Sequence, residues 1–243
     1  MTGMIYTLKY PLPALFLAVT AFADAPPAFE PTEAYETRTM HGFPLLLHPE
    51  LQKHSKELKE ALAEMDKQLT AIVKVLPNKP LARLKKVKIW MEWEKKKNGA
   101  AEFHPSRAWL KANGYNPDKA GCVEINNARN FVRWSERDQP WMVLHELAHA
   151  YHFLVLGDNH RGIEAAFKQA VERKLYESVA FIRGGKRKAY ALTNSKEYFA
   201  ELSEAYFGRN DFYPFTRTEL EKHDPVGFRV LRETWEGTPD KRD

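Results

Sequence analysis

The chain has 243 residues, 44% of them hydrophobic and 28% charged. That balance fits one compact domain and excludes collagen-like repeats, long disorder and coiled-coil arrays. A single cysteine, Cys122, excludes an internal disulfide framework and an all-thiolate zinc site. The formal charge of +5 is mild; solubility accounts for it, and no nucleic-acid-binding motif accompanies it.

The N-terminal segment reads as an address. Lys9 precedes an apolar run over residues 11–22, and Ala21, Phe22 and Ala23 form a small-residue exit. These are the three parts of a secretory signal peptide, so residues 1–23 are expected to direct export, to a secreted or periplasmic location. The run is too short to span a bilayer, and no cysteine stands near the cleavage point, so no stable membrane anchor is expected. Residues 24–36, rich in proline and acid, read as a flexible linker. Residues 37–243 remain for the domain.

Along that domain, residues 37–47 with Gly42 at the centre suit a hairpin or a single strand. Apolar residues then recur at helical period from Pro49 to Val75, and Pro77 ends the pattern. Residues 87–93 are rich in β-formers and read as a strand. Ser106 suits the cap of a short helix over 107–113 closed by Gly114, and 121–125 is a second strand. The most apolar helix spans 140–156, stopped by Gly157, and another runs from 163 to about 179. Gly184 and Gly185 lie between two β-compatible arms of a hairpin over 179–192. Asn194, with Glu197 three residues on, resembles a capping box opening a helix to Phe207, with Gly208 as its stop. Asp224 and Pro225 open a last helix ending near Gly237. The expected class is a single α+β domain, a small mixed sheet ahead of the apolar helix and a mostly helical C-terminal part.

The apolar helix carries His145-Glu146-x-x-His149. Positions four apart lie one above the other on a helix, so both imidazoles can reach one zinc ion. Glu146, roughly 100° round the helix, is placed to take a proton from a water without itself binding the metal. A zinc site needs a third protein ligand. The extended motif with a glycine three residues and a histidine six residues after the second histidine is excluded, because His152 and Val155 occupy those places. His152 lies about 4.5 Å further along the axis and is expected to pack in the core.

A better third ligand lies downstream. Glu197, Glu201 and Glu204 share a helix face, while Tyr198, Phe199, Leu202, Tyr206 and Phe207 load most of the remaining circumference. A solvated acidic face is the plain alternative. A helix buried on most sides instead brings a carboxylate inside, where a metal is a natural partner. Glu197 is the expected ligand, with Glu201 one turn on orienting a zinc-bound histidine. The loop histidines His104, His160 and His223 are expected to be ordinary surface residues. Solvated charge is the default for the basic clusters around residues 83–88 and 94–97.

His-Glu-x-x-His followed some fifty residues later by Glu197-Tyr-Phe-Ala-Glu201 resembles the glutamate zincins, and within them is most similar to the catalytic domain of anthrax lethal factor and related exported bacterial proteins. The resemblance covers residues 140–207. It implies a zincin-like metallopeptidase domain, with Glu197 binding zinc and Tyr190, seven residues before it, assisting a developing oxyanion. Read alone, Tyr190 can donate a phenolic hydrogen bond to an oxyanion or simply pack on the core.

The expected function is a zinc-dependent peptidase acting on peptide or protein substrates, with residues 122–126 as a strand on which an extended substrate could pair. The alternative is a non-catalytic binding or structural protein of the same fold at the cell surface. Glu146 discriminates between them, since a non-catalytic chain has no need of it.

Overall fold

The computed structural model describes residues 29–237, so the expected leader at 1–23 lies outside the described residues. Of the expected linker, residues 29–36 belong to the fold. Thr32–Ala34 make a single 3-10 turn, and buried Tyr35 donates its hydroxyl to Glu92 Oε1 at 2.7 Å. Folded structure therefore begins before residue 37.

The α+β class holds. Strands β1 (Glu36–Met40) and β2 (Phe43–Leu47) form the hairpin, turning through His41 and Gly42 at positive φ. The long amphipathic stretch is two helices, α1 (Pro49–Lys53) and α2 (Ser55–Val75). His54 breaks them, leaving helical geometry while its ring stacks on Trp93 at 3.7 Å between centroids. Helix α3 (Asn78–Leu84) follows, unforeseen, and then β3 (Ile89–Met91), β4 (Glu102–Phe103), α4 (Arg107–Ala112) and β5 (Val123–Ile125). Ser106 caps α4, its hydroxyl accepting from Trp109 N. Strand β4 was not expected, nor was α5 (Ala128–Arg137), which Asn127 caps.

The sheet runs β1-β2-β3-β5-β4, with β2, β3 and β5 parallel and the two outer strands antiparallel to their neighbours. Alternation along the strands sorts its faces. Leu45, Leu47, Ile89, Met91, Val123 and Ile125 join the main core beneath the helices, while Leu46, Trp90, Cys122 and Tyr35 pack on the other face. That second face also holds a buried charge network. Lys119 Nζ lies 2.5 Å from Glu92 Oε1 and also bonds Glu124, which takes a 2.6 Å bond from His104 Nε2.

Helix α6 (Met142–Tyr151) packs against α2, α3, β4 and β5, and its last turn widens into a π turn, His152–Leu156, before Gly157. Val143, Leu144, Leu147 and Ala148 are fully buried, which fixes the face that α6 turns to the cleft. It has no side-chain cap of its own; Gln68 of α2 accepts the orphan N–H of Val143 at 2.9 Å. Helix α7 (Arg161–Glu172) stops well short of the expected residue 179, because Lys174 turns the chain at positive φ. The Gly184-Gly185 hairpin is present but short, as β6 (Val179–Ala180) and β7 (Lys186–Arg187). Its expected second arm ends in a 3-10 turn at Tyr190–Leu192.

Helix α8 (Ser195–Phe207) follows, then α9 (Arg217–His223) and α10 (Pro225–Glu236). Tyr198, Phe199, Leu202 and Tyr206 are buried around α8. Asp224 fastens its back: Oδ2 accepts from Tyr198 at 2.6 Å and Tyr176 at 3.0 Å, and Oδ1 accepts from Gly227 N at 2.9 Å. Among the described residues, no helix is long and apolar enough to cross a membrane.

Candidate metal centre

Helices α6 and α8 cross face to face, which sets the two sequence motifs opposite each other. Asn194 does cap α8, its Oδ1 accepting from the N–H groups of Lys196 and Glu197 at 2.9 and 3.0 Å. The reciprocal half of a capping box is missing. Instead of folding back on Asn194, Glu197 projects into the cleft, where Oε2 lies 3.1 Å from His145 Nε2 and 3.2 Å from His149 Nε2.

Those separations have a meaning. Three donors on a tetrahedral zinc with bonds of about 2.0–2.1 Å stand roughly 3.3–3.4 Å apart. Two edges of the His145–His149–Glu197 triangle are close to that length, and all three donor atoms lie within 4.8 Å of one another. Two imidazoles and one carboxylate are also the ligand chemistry that suits zinc. The donor set fits the ion.

Outer contacts complete the arrangement. His145 Nδ1 lies 2.8 Å from Glu204 Oε1, a partner that keeps a proton on Nδ1 when a metal displaces the one on Nε2. This corrects the expectation for Glu201, whose Oε1 is 3.8 Å from the same nitrogen, beyond hydrogen-bond range. Glu201, one turn beyond Glu197, is the nearer carboxylate along α8. The crossing of α6 and α8 places His145 opposite the position two turns on, and neither helix alone reveals that angle.

Electrostatics follow from burial. For Glu197, loss of water pushes the carboxyl upward, but hydrogen bonds from both imidazoles outweigh it and hold the group far below the usual range. Burial alone would depress His145; its bonds to Glu197 and Glu204 instead hold the ring well above the ordinary histidine value. Glu146 is raised, chiefly by burial and against the pull of His145 and His149. Buried Glu201 is raised well above the carboxylate range, by desolvation first and then by Asp211.

An open cavity of about 620 Å³ runs past these groups, lined by His145, Glu146, His149, Glu197 and Tyr190, with Glu102 and Phe103 on its rim. Tyr190 is half-exposed in its 3-10 turn, its ring centroid 6.3 Å from that of His145. The strand bordering the cleft is β4. β5, the expected pairing strand, is hydrogen-bonded on both sides by β3 and β4 and offers no free edge. No local pattern marks β4, because two residues become a strand only through their partner.

The other histidines stay out of the centre. His152 is buried against Phe199 with ring centroids 5.4 Å apart, His160 caps α7 and His223 bonds the Leu175 carbonyl, while His104, expected at the surface, is buried in the network under the sheet because Glu124 takes its ring nitrogen there. Compared with protein-family models, curated proteins and solved structures, the chain finds no match in any of the three.

Proposed function

We propose that the chain is a zinc-dependent peptidase of the glutamate-zincin kind, with His145, His149 and Glu197 as metal ligands. The observation that carries this reading is the convergence of two Nε2 atoms on one Glu197 oxygen, at 3.1 and 3.2 Å. A zinc ion held there supplies Lewis acidity, polarising a peptide carbonyl and making a neighbouring water easier to deprotonate. Glu146, buried on the same helix with its carboxyl raised, takes the proton of the attacking water and hands it to the departing nitrogen. Tyr190, on the lip of the cavity, donates its hydroxyl to the oxyanion. Glu204 keeps the His145 ring in the tautomer that binds metal. The edge of β4 can take the main chain of an extended peptide as an added strand. With the leader expected at residues 1–23, the same reading puts the enzyme outside the cytoplasm.

The test is metal content and turnover together. Purified protein should hold about one zinc per chain. Glu146→Gln should keep the zinc and lose peptide cleavage, and Glu197→Ala should lose the zinc. Equal hydrolysis by Glu146→Gln and the parent would refute the assigned base, and full zinc retention by Glu197→Ala would refute the third ligand.

A further inference from the structure

Past His145, on the side of its ring away from Glu197, the cleft ends among carboxylates. Glu201, Glu204 and Asp211 come from α8 and the loop after it, Asp138 from the turn between α5 and α6. Glu204 Oε1 is matched by His145 Nδ1–H at 2.8 Å. Asp138 Oδ2 is matched by Arg137 Nε at 2.9 Å, with Arg183 3.6 Å away.

Three oxygens are left over. Glu201 Oε2, Asp211 Oδ1 and Asp138 Oδ1 are buried and have no hydrogen-bond partner among the described residues. The residues themselves are 2%, 7% and 4% exposed, and all three line the 620 Å³ cavity. Buried acceptors without donors are costly, and carboxylates most of all. The same burial, with the neighbouring Glu204, pushes Asp211 up to about 7.

A carboxyl oxygen without a donor is satisfied either by taking up a proton or by a guest that brings N–H donors and positive charge, and such a guest draws the carboxyls into their charged form. Beside them Phe181 and Phe212 line the same cavity with ring centroids 5.0 Å apart, an apolar wall suited to an aliphatic stem. Arg187 already lies over the Phe181 ring at 4.0 Å, so that ring tolerates a cation. A second metal ion fits less well. Binding at His145, Glu201 and Glu204 would need a bare lone pair on Nδ1, the atom that donates to Glu204.

We infer that this arm of the cleft is a subsite for a lysine or arginine side chain of the substrate, carried by a residue next to the bond that is cut. The inference rests on the peptidase reading above. The His145 ring, with Nε2 toward Glu197 and Nδ1 toward Glu204, stands between the metal position and the arm, so the occupant is a long side chain on a residue adjacent to the scissile bond.

The experiment uses zinc-loaded full-length protein and matched peptides with lysine, arginine, norleucine or glutamate at each position flanking the scissile bond. At one position kcat/KM for lysine or arginine should exceed that for norleucine by about tenfold or more, with glutamate lowest. Asp211→Asn should shrink that ratio severalfold. Binding of the same peptides to zinc-loaded Glu146→Gln, read by fluorescence anisotropy, gives the preference without turnover. Cleavage without a basic preference at any position would overturn the subsite alone. Preferential binding of the basic peptides with no cleavage by the parent would overturn the peptidase reading and keep the subsite, and absence of both would overturn both. A second zinc equivalent in the parent, lost in Asp211→Asn, would overturn the subsite in favour of a metal.

Discussion

His145 and Glu204, from two helices 59 residues apart in sequence, share a 2.8 Å hydrogen bond across the crossing of α6 and α8. The carboxylate holds the proton on Nδ1, so Nε2 stays available to a metal. Removing such a partner generally weakens metal affinity by roughly 10- to 100-fold. Glu204→Gln should show that loss in a chelator competition, whereas Glu201→Gln should bind zinc more tightly than Glu204→Gln. The opposite order would return the orienting role to Glu201.

Gly208 ends α8 directly under Trp141, the residue before α6. A Cβ at Gly208 would overlap the Trp141 ring. The glycine is needed here for space, since its φ of −150° is open to any residue. Gly208→Ala should therefore cost about 1–3 kcal/mol, as overpacking does, and should lower zinc affinity by shifting α8 against α6. An unchanged melting temperature would show that the indole moves aside freely.

Lys119 is the cation between Glu92 and Glu124 under the sheet, and all three side chains are at most 3% exposed. Lys119→Met keeps the length of the side chain but takes the cation from two buried carboxylates, leaving them the hydrogen bonds of Tyr35 and His104. Breaking a buried ion pair in this way costs roughly 3–5 kcal/mol. Urea denaturation near neutral pH measures it, and a loss below about 1 kcal/mol, the level of a surface pair, would show that water reaches the network.

His152 gives a pH dependence with a definite sign. Burial, then the nearby His149, lowers its pKa from 6.5 to about 4 in the folded chain. The folded state therefore favours the neutral ring, a contribution fully present above pH 6.5 and lost as pH falls through 4. In metal-free protein, stability should drop across that window more steeply for the parent than for His152→Leu. Parallel curves would mean the ring is already charged when buried.

The two helices that matter were legible because each has local signals of its own. The apolar face of α6, the Asn194 cap and the aromatic flanks of α8 all belong to single segments, and so does the Gly184-Gly185 turn. Two missed helices also carried signals. Thr216 and Glu219 form a full capping box at the start of α9, and Asn127 caps α5. Other misses had no local trace. The break at His54 depends on Trp93, and β4 exists only by pairing with β5. The choice between Glu201 and Glu204 depends on how two helices cross, and the burial of Asp138 and Asp211 beside Glu201 depends on three separate segments meeting.

Asp224 lies behind α8, on the side away from the cleft, yet it bears on which carboxylates enter it. A cylinder packed mainly through apolar contacts can slip about its own axis at small cost. Each residue of slippage turns it by roughly 100°, enough to swing Glu197 away from the imidazoles. The bond from Tyr198 to Asp224, at 2.6 Å, is directional and breaks under such a turn. Asp224 thus acts as an indexing pin, setting the angular phase of α8 from outside the pocket it serves.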